Sequence, residues 1–144
     1  MALQDDAVEL RATGWRRLTA LHGLIETHLE RELTSQCRLS VVEYTVLDAL
    51  SRQDGWHMRM HQLAMAAALS PSASTRLVNR LEDRGLLVRI ICADDRRGIY
   101  TELTPEGRSA LEAARPVHEA ALSAALDEAR RHPELADLVD DVLG

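Results

Sequence analysis

A helix with clear signals at both ends, followed by two strand-like segments, limits the fold of this sequence most. Ser70 and Pro71 predict a helix start, because serine caps free backbone N–H groups and proline lacks the N–H that would go unbonded. Gly85 predicts the end of that helix. Residues 86–91 are rich in β-forming side chains and residues 99–103 alternate in polarity, so together they predict a β-hairpin.

Two further predicted helices precede this segment. Ser40 and Glu43 have the spacing of a capping box, in which each side chain bonds the backbone N–H of the other residue. The next helix carries small residues that allow a close helix–helix approach; they are Ala64, Ala67 and Ala68. The order helix, tight turn, helix and hairpin predicts a mainly α fold with a small β-hairpin wing (α+β), a winged helix-turn-helix.

Helices are also predicted on both sides of this fold. Between residues 6 and 33, apolar residues recur at helical spacing, and Trp15 extends the stripe toward the N-terminus. The stripe consists of Leu18, Leu21, Ile25, Leu29 and Leu33. Pro105 begins a long helix rich in alanine and leucine, and Pro133 begins a short last one. The predicted domains are residues 1–34, 35–104 and 105–144.

The distribution of charge matters because the net charge of −6 is unusual for a chain that touches nucleic acid. Residues 105–144 hold nine acidic residues against four arginines, whereas residues 71–97 hold six arginines against four acidic residues. A weakly basic middle between acidic ends is typical of a protein that meets phosphate with one face. Ordinary solvated surfaces fluctuate as much, so charge alone leaves both interpretations open.

The helix after Ser70 has one apolar and one polar face. Leu77, Val78 and Leu81 lie opposite short hydroxyls, an arginine and an asparagine, which are groups that reach base edges and phosphates in a major groove. The candidate DNA-binding residues of this helix are Ser72, Ser74, Thr75, Arg76, Asn79 and Arg80. Ser74 lies nearer the core side. An ordinary amphipathic surface helix would give the same pattern.

The tip of the predicted hairpin carries two adjacent arginines. Arg96 and Arg97 on an exposed loop are suited to a narrow minor groove, where the potential is most negative. Asp95, two positions before Arg97, can fix its guanidinium through a charge-assisted pair. A solvated charged turn is the alternative, but the arginine tip and the polar helix occur at a suitable separation.

Two segments resemble the MarR family of winged helix-turn-helix transcriptional regulators. One is LA followed by LSPSASTRLVNRLEDRGL within residues 63–86, and the other is DRR followed by LTPEGR within residues 95–108. The strong resemblance covers roughly residues 40–110. His61 departs from the pattern, because a serine or threonine often caps the helix there, so this cap is in doubt.

The resemblance implies a homodimer, formed by the N-terminal helix and the last two helices of each chain. Its two winged domains would read successive major grooves of a pseudo-palindromic double-stranded DNA operator. Arg97 would enter the minor groove with Asp95 as its partner. The resemblance also implies a regulator, most often a repressor, that a small aromatic or anionic effector releases from DNA; repressor and activator cannot be distinguished from the sequence.

An effector pocket would lie between the dimer helices and the winged domain. Its candidate residues are Trp15, His22, Tyr44 and His118. Each has an ordinary alternative role, because a tryptophan on a helix is more often part of the core and a helical histidine is more often solvated or packed.

Redox and metal sensing are weaker hypotheses. Cys37 precedes Arg38, which could favour a thiolate, and Cys92 lies at the edge of the hairpin, so either cysteine is a candidate oxidant sensor. The six histidines show no metal-ligand spacing, since His57 precedes the helix that contains His61. We expect no bound metal and no cofactor.

Other classes of protein are disfavoured. The sequence has no Gly-rich phosphate loop, GxSxG or HExxH motif, so no enzymatic activity and no catalytic residues are expected. It has no apolar run of ~20 residues and no signal-peptide pattern, so we expect no membrane span and a cytoplasmic protein. A winged helix that binds another protein instead of DNA remains the main alternative.

Overall fold

The structure is a computed structural model that describes residues 2–91 and 98–144. Those residues form six α-helices and a three-stranded antiparallel sheet, so the predicted mainly α fold with a small β wing is confirmed. The elements are α1 (Ala2–Cys37), α2 (Val41–Ser51), a 3-10 turn (Asp54–Trp56), β1 (His57–Arg59), α3 (Met60–Ala66), α4 (Pro71–Asp83), β2 (Leu87–Ile91), β3 (Ile99–Leu103), α5 (Pro105–Arg130) and α6 (Pro133–Leu143). Across these two ranges, none of the helices combines the length and the apolar character that crossing a bilayer requires.

The chain divides into two compact units. One, the winged unit, is Leu33–Pro116 and contains α2, α3, α4 and the sheet. The other, the helical unit, consists of Met1–Glu32 and Val117–Gly144. The functional division at residues 34 and 104 stays a prediction.

The predicted capping box at the start of α2 is present. The backbone N–H of Glu43 donates to Ser40 Oγ at 3.0 Å, and the backbone N–H of Ser40 donates to Glu43 Oε1 at 2.8 Å. The second carboxylate oxygen of Glu43 accepts from Arg84 Nη1 at 3.3 Å. Glu43 is only 9% exposed, so its charge is stabilised by these bonds and links the start of α2 to the end of α4.

Both predicted ends of α4 are also confirmed. Ser70 Oγ accepts from the backbone N–H of Ala73 at 3.2 Å, and Pro71 occupies the first turn. After the last helical residues, Gly85 has a φ of +74°, a left-handed conformation that glycine adopts without steric cost. These local signals fix where α4 begins and ends, and therefore which side chains lie on its exposed face.

The sheet contains one strand more than the predicted hairpin. Its order is β1-β3-β2, with Ile91 opposite Ile99 in the hairpin and Arg59 opposite Tyr100 at the added edge. Arg59 Nε also donates to the Tyr100 hydroxyl at 3.0 Å. The three residues of β1 are too few to give a periodic signal, so only pairing with distant β3 identifies them as a strand.

The hairpin is fastened at its base by Thr104. Its hydroxyl donates to the Gly85 carbonyl at 2.6 Å and accepts from the Gly107 backbone N–H at 2.9 Å. The backbone N–H of Thr104 donates to the Leu86 carbonyl at 3.2 Å. Gly107 packs so closely on that carbonyl that a Cβ atom would collide with it. The predicted cap of α5 therefore also joins the two ends of the hairpin.

The helical unit has a smaller core. It is built from α1, α5 and α6 around five buried residues, Leu21, Leu126, Ala129, Leu135 and Val139. Polar contacts supplement this packing: Arg17 Nε donates to the Glu134 carbonyl at 2.6 Å, and His28 Nε2 lies 2.6 Å from Glu128 Oε2.

Candidate DNA-binding interface

The two faces of α4 have opposite exposure. Leu77, Val78 and Leu81 are buried in the core of the winged unit. Five of the six candidate DNA-binding residues are exposed, namely Ser72, Thr75, Arg76, Asn79 and Arg80. The sixth, Ser74, is 2% exposed and lies with the core residues, so it is not part of the exposed surface. The remaining five form one polar surface along the helix.

Hydrogen bonds within α4 define what two of its hydroxyls can still do. Thr75 Oγ1 donates to the Pro71 carbonyl at 3.0 Å, so its oxygen remains available as an acceptor toward solvent. Ser72 Oγ lies 3.4 Å from Ser70 Oγ, near the first turn. A helix N-terminus with hydroxyls and a partial positive charge is suited to a phosphate oxygen.

Asn79 makes a contact that the sequence did not predict. Arg89 on β2 donates from Nη2 to Asn79 Oδ1. The backbone N–H of Arg89 also donates to Glu82 Oε2 at 3.1 Å, one turn further along α4. Arg89 thus binds α4 at two points. The ten-residue separation of Arg89 and Asn79 crosses a turn and a strand, so no local pattern could have shown this pair.

The candidate wing residues Asp95, Arg96 and Arg97 lie outside the described residues, as does Cys92. The strand ends on either side are described, and both are apolar: Ile91 is 80% exposed and Ile99 is 53% exposed. The roles of the three wing residues stay predictions.

The four candidate effector residues fall in different surroundings. Trp15 and His22 line one cavity of about 370 Å³ on α1, together with Leu18 and Thr19. His118 is half-buried on α5 in the helical unit, and Tyr44 is buried on α2 in the winged unit. Sequence reasoning therefore identified two residues of one cavity but missed Leu18 and Thr19, which lie one helical turn from Trp15.

Tyr44 is surrounded by a network of charged groups. Asp48 accepts from Arg52 Nε and from Arg115 Nη1, each at 2.9 Å, and Arg115 also donates to Ser51 Oγ at 3.0 Å. Burial raises the pKa of the Tyr44 hydroxyl, and the Asp48 carboxylate raises it further. The phenol is therefore neutral at physiological pH, and Asp48 and Arg115 join α2 to α5.

The environment of Cys37 contradicts the expected effect of Arg38. Burial raises the pKa of the Cys37 thiol, so the thiolate is disfavoured. The adjacent arginine has a positive φ of 57° and does not offset this burial. Over residues 2–91 and 98–144, no three His, Cys, Asp or Glu side chains are grouped as a metal site would require.

The start of α3 resolves the doubt about its cap. The helix begins at Met60, one residue before His61, and Gln62 Oε1 accepts from the backbone N–H of Arg59 at 3.3 Å. A glutamine at the third helical position therefore satisfies a backbone N–H without a serine or threonine cap. His61 instead lines a groove of about 440 Å³ between α3 and α4.

Comparisons with known proteins agree with this geometry. Residues 39–98 match the model of the MarR family. Sco3205, a MarR family transcriptional regulator from Streptomyces coelicolor solved in complex with DNA, is 31% identical over 90% of this chain and 80% of its own, with a TM-score of 0.76. AbsC, a MarR family transcriptional regulator from the same organism, is 29% identical over 90% of this chain and 86% of its own, with a TM-score of 0.75.

A third solved relative contains a small-molecule ligand. CouR from Rhodococcus jostii RHA1, bound to p-coumaroyl-CoA, is 27% identical over 88% of this chain and 85% of its own, with a TM-score of 0.67. A search of curated proteins gave no match. The family match, the identity with Sco3205 and the winged helix-turn-helix together show that the chain belongs to the MarR family of transcriptional regulators.

Proposed function

We propose that this protein is a sequence-specific double-stranded DNA-binding regulator that acts as a homodimer in the cytoplasm. Its operator would be pseudo-palindromic. The protein would repress transcription, and a small effector would release it from the DNA. The observation that carries the proposal is the exposed polar face of α4, opposite a face that is fully used in packing. The complex of Sco3205 with DNA supports the same use of the fold.

The polar face of α4 has the groups that base and phosphate recognition need. Asn79 can make paired hydrogen bonds to a base edge, whereas Arg76 and Arg80 can contact guanine or phosphate. Ser72 and Thr75 add short polar contacts near the helix N-terminus. Arg96 and Arg97 would extend the contact into the adjacent minor groove, with Asp95 directing the Arg97 guanidinium.

The apolar surface of α1 supports the homodimer. Val8, Trp15 and Leu18 follow at spacings of seven and three, so they share a helix face, and all three are exposed in the single chain. The exposed fraction is 68% for Trp15 and 47% for Leu18. Apolar residues repeated along one face are typical of a surface that a second helix covers. A second copy of the chain is the occupant we propose.

The cavity at Trp15 and His22 supports an effector site that borders the proposed dimer interface, because Trp15 and Leu18 belong to both. Its mostly apolar wall is suited to an aromatic molecule, and the ring nitrogens of His22 can form hydrogen bonds to a polar group of that molecule. The ligand of CouR, p-coumaroyl-CoA, combines an aromatic group with anionic groups. We infer an effector of the same general chemistry, without a more specific identity.

The decisive experiment is titration of the protein onto labelled DNA from upstream of its own gene, beside a scrambled duplex, at several salt concentrations. The proposal requires selective binding whose log affinity falls linearly with log salt, since each neutralised phosphate releases counterions. Selection from a random duplex pool decides the case if binding is weak on both DNAs. If no sequence is enriched, the alternative function, a winged helix that binds another protein, replaces DNA binding.

A charge-matched pair of variants tests the wing. Arg97→Ala is expected to weaken specific binding and to leave the dimer intact, because it removes only the proposed minor-groove contact. Arg131→Ala removes the same charge from an exposed position in the helical unit and is expected to bind as the wild type does. Equal affinity of all three proteins would exclude the wing from DNA recognition.

A further inference from the structure

A hydrogen bond beside the proposed DNA surface joins Arg89 of β2 to Asn79 of α4. Both side chains are exposed, so neither is needed to fill the core. Asn79 belongs to the set proposed to read DNA, whereas Arg89 was not identified by any sequence pattern.

The chemistry of the two groups fixes the orientation of the amide. A guanidinium has five N–H donors and no acceptor, so only the oxygen of the Asn79 amide can face it. The amide nitrogen must then point away from Arg89 with both of its N–H donors available. An exposed asparagine without such a partner can rotate by 180° and present either atom.

The position of Arg89 on the sheet restricts where its side chain can lie, and this stabilises the orientation of the Asn79 amide. Arg89 lies opposite Thr101 on β3 and two residues after Leu87, so its side chain is on the same sheet face as these two buried residues. Its backbone N–H is fixed to Glu82 Oε2 at 3.1 Å. The pairing of β2 with β3 and the bond to Glu82 on α4 together hold the backbone of Arg89 in place on the strand.

We propose that Arg89 is a positioning residue for base recognition, which holds the Asn79 amide with its N–H donors directed at the DNA. This inference rests on the proposed function of α4. An amide that directs only N–H donors at the DNA favours base edges with acceptors, such as guanine O6 and N7, over edges that present a donor, such as cytosine N4. Without Arg89, Asn79 would accept several bases at the position it contacts.

The test compares the operator preferences of the wild type with those of Arg89→Met, Arg89→Lys and Asn79→Ala, each selected from the same random duplex pool. Arg89→Met retains the aliphatic stem and removes the donor. We expect one position in each half-site to lose its base preference, by about 5- to 150-fold, the range for a paired base contact. Asn79→Ala should relax the same position, and the double variant Asn79→Ala/Arg89→Met should relax it no further.

A role for Arg89 as a plain phosphate contact gives a different result. It predicts a uniform loss of affinity over all sequences, a salt dependence reduced by about one unit per lost contact, and full rescue by Arg89→Lys. Positioning instead predicts incomplete rescue by lysine, because its single rotatable ammonium does not reproduce the guanidinium geometry. An unchanged preference at every position in Arg89→Met would overturn the proposal.

The failure of this inference can be told apart from the failure of DNA binding itself. If the wild type enriches no sequence, the proposed function fails and this inference fails with it. If the wild type enriches a motif and Arg89→Met enriches the identical motif, only the positioning role is wrong. Thermal unfolding of each variant shows whether it is folded, and Arg89→Lys keeps the test valid if Arg89→Met is not.

Discussion

The winged unit and the helical unit differ in how completely each buries its own apolar side chains. Among the described residues, the leucines that are at most 2% exposed all lie between residues 33 and 116, and they include Leu47, Leu63 and Leu81. The helical unit leaves Trp15 and Leu18 exposed. The winged unit also exposes Met65, Ile91 and Ile99, but it has a core of fully buried leucines, whereas the helical unit has a smaller core and repeats its exposed apolar side chains along one face of α1.

This difference indicates two kinds of stability in one small chain. Burial inside the winged unit is intramolecular and independent of protein concentration. Covering the exposed face of α1 with a second copy would add stability only by mass action, so that part would depend on concentration. Six substitutions, three in each unit, test this distinction.

The largest effect is expected from Leu47→Ala in the winged unit. Leu47 is 0% exposed, and removing its branched side chain would leave a cavity that costs about 2–5 kcal/mol of unfolding free energy. Denaturant unfolding at two protein concentrations measures this loss, which should be the same at both. A loss that grows on dilution would contradict a self-contained winged unit.

Leu18→Glu in the helical unit is expected to change the stability of the single chain less than Leu47→Ala does. It should, however, clearly weaken dimer assembly. The side chain is already 47% exposed, so a charge is tolerated in one chain but disfavoured in an apolar interface. Sedimentation or light scattering over a concentration series should show a shift toward monomer.

The matched control for that substitution is Ala20→Glu. Ala20 is exposed on the same helix, about 200° around the axis from Leu18, so it adds the same charge outside the apolar face. It should assemble as the wild type does. An unchanged mass for Leu18→Glu would place the interface elsewhere.

Ser40→Ala is expected to cost about 1 kcal/mol, the usual value of a helix N-cap. It removes the acceptor that the Glu43 backbone N–H uses at 3.0 Å and leaves the Arg84 contact with Glu43 in place. Denaturant unfolding against wild type is the measurement, with Ser70→Ala as the equivalent change at α4. A loss no greater than the experimental error would show that the box does not stabilise the winged unit.

The smallest effect is expected from Glu128→Gln and depends on pH. The hydrogen bond with His28 lowers the pKa of Glu128 below its ordinary value of 4.5. A carboxyl with a lowered folded-state pKa contributes stability that is present above its unfolded pKa and is lost as pH falls through the folded one. The thermal stability of the wild type should therefore fall more than that of the variant as the pH falls below about 4.5.

The result would be overturned if the two proteins lost stability in parallel over that range. Such an outcome would mean that the pair of Glu128 and His28 contributes nothing to the stability of the helical unit, which would then depend on its small apolar core and its other polar contacts. The helical unit would then differ even more from the winged unit in how much stability it has within one chain.

Local chemistry explains why much of the fold was predictable. The caps at Ser40 and Ser70 and the glycine stop at Gly85 act within a few residues, so the sequence contains the whole signal. Strand β1 was missed because its three residues become a strand only by pairing with β3, over forty residues away. The wrong interpretation of Cys37 has a similar cause, since adjacency to Arg38 is visible in sequence but burial is not.

The candidate site was predictable to the same extent. Periodicity separated the exposed face of α4 from its buried face, and it placed Ser74 nearer the core. Periodicity does not say what covers a stripe, so Trp15 and Leu18 could not be distinguished from the buried Leu21 on the same helix. Arg89 was invisible because its effect on Asn79 depends on the turn between α4 and β2.

Thr104 allows the sequence between the two hairpin strands to be replaced. Its hydroxyl joins the exit of α4 to the start of α5, so the two ends of the hairpin are held together independently of what the hairpin contains. Once the ends of a loop are fixed, lengthening it costs little entropy, about 0.6 kcal/mol for each doubling. Replacing residues 92–97 with a longer or differently charged sequence would therefore alter the proposed minor-groove contact while the rest of the domain folds unchanged.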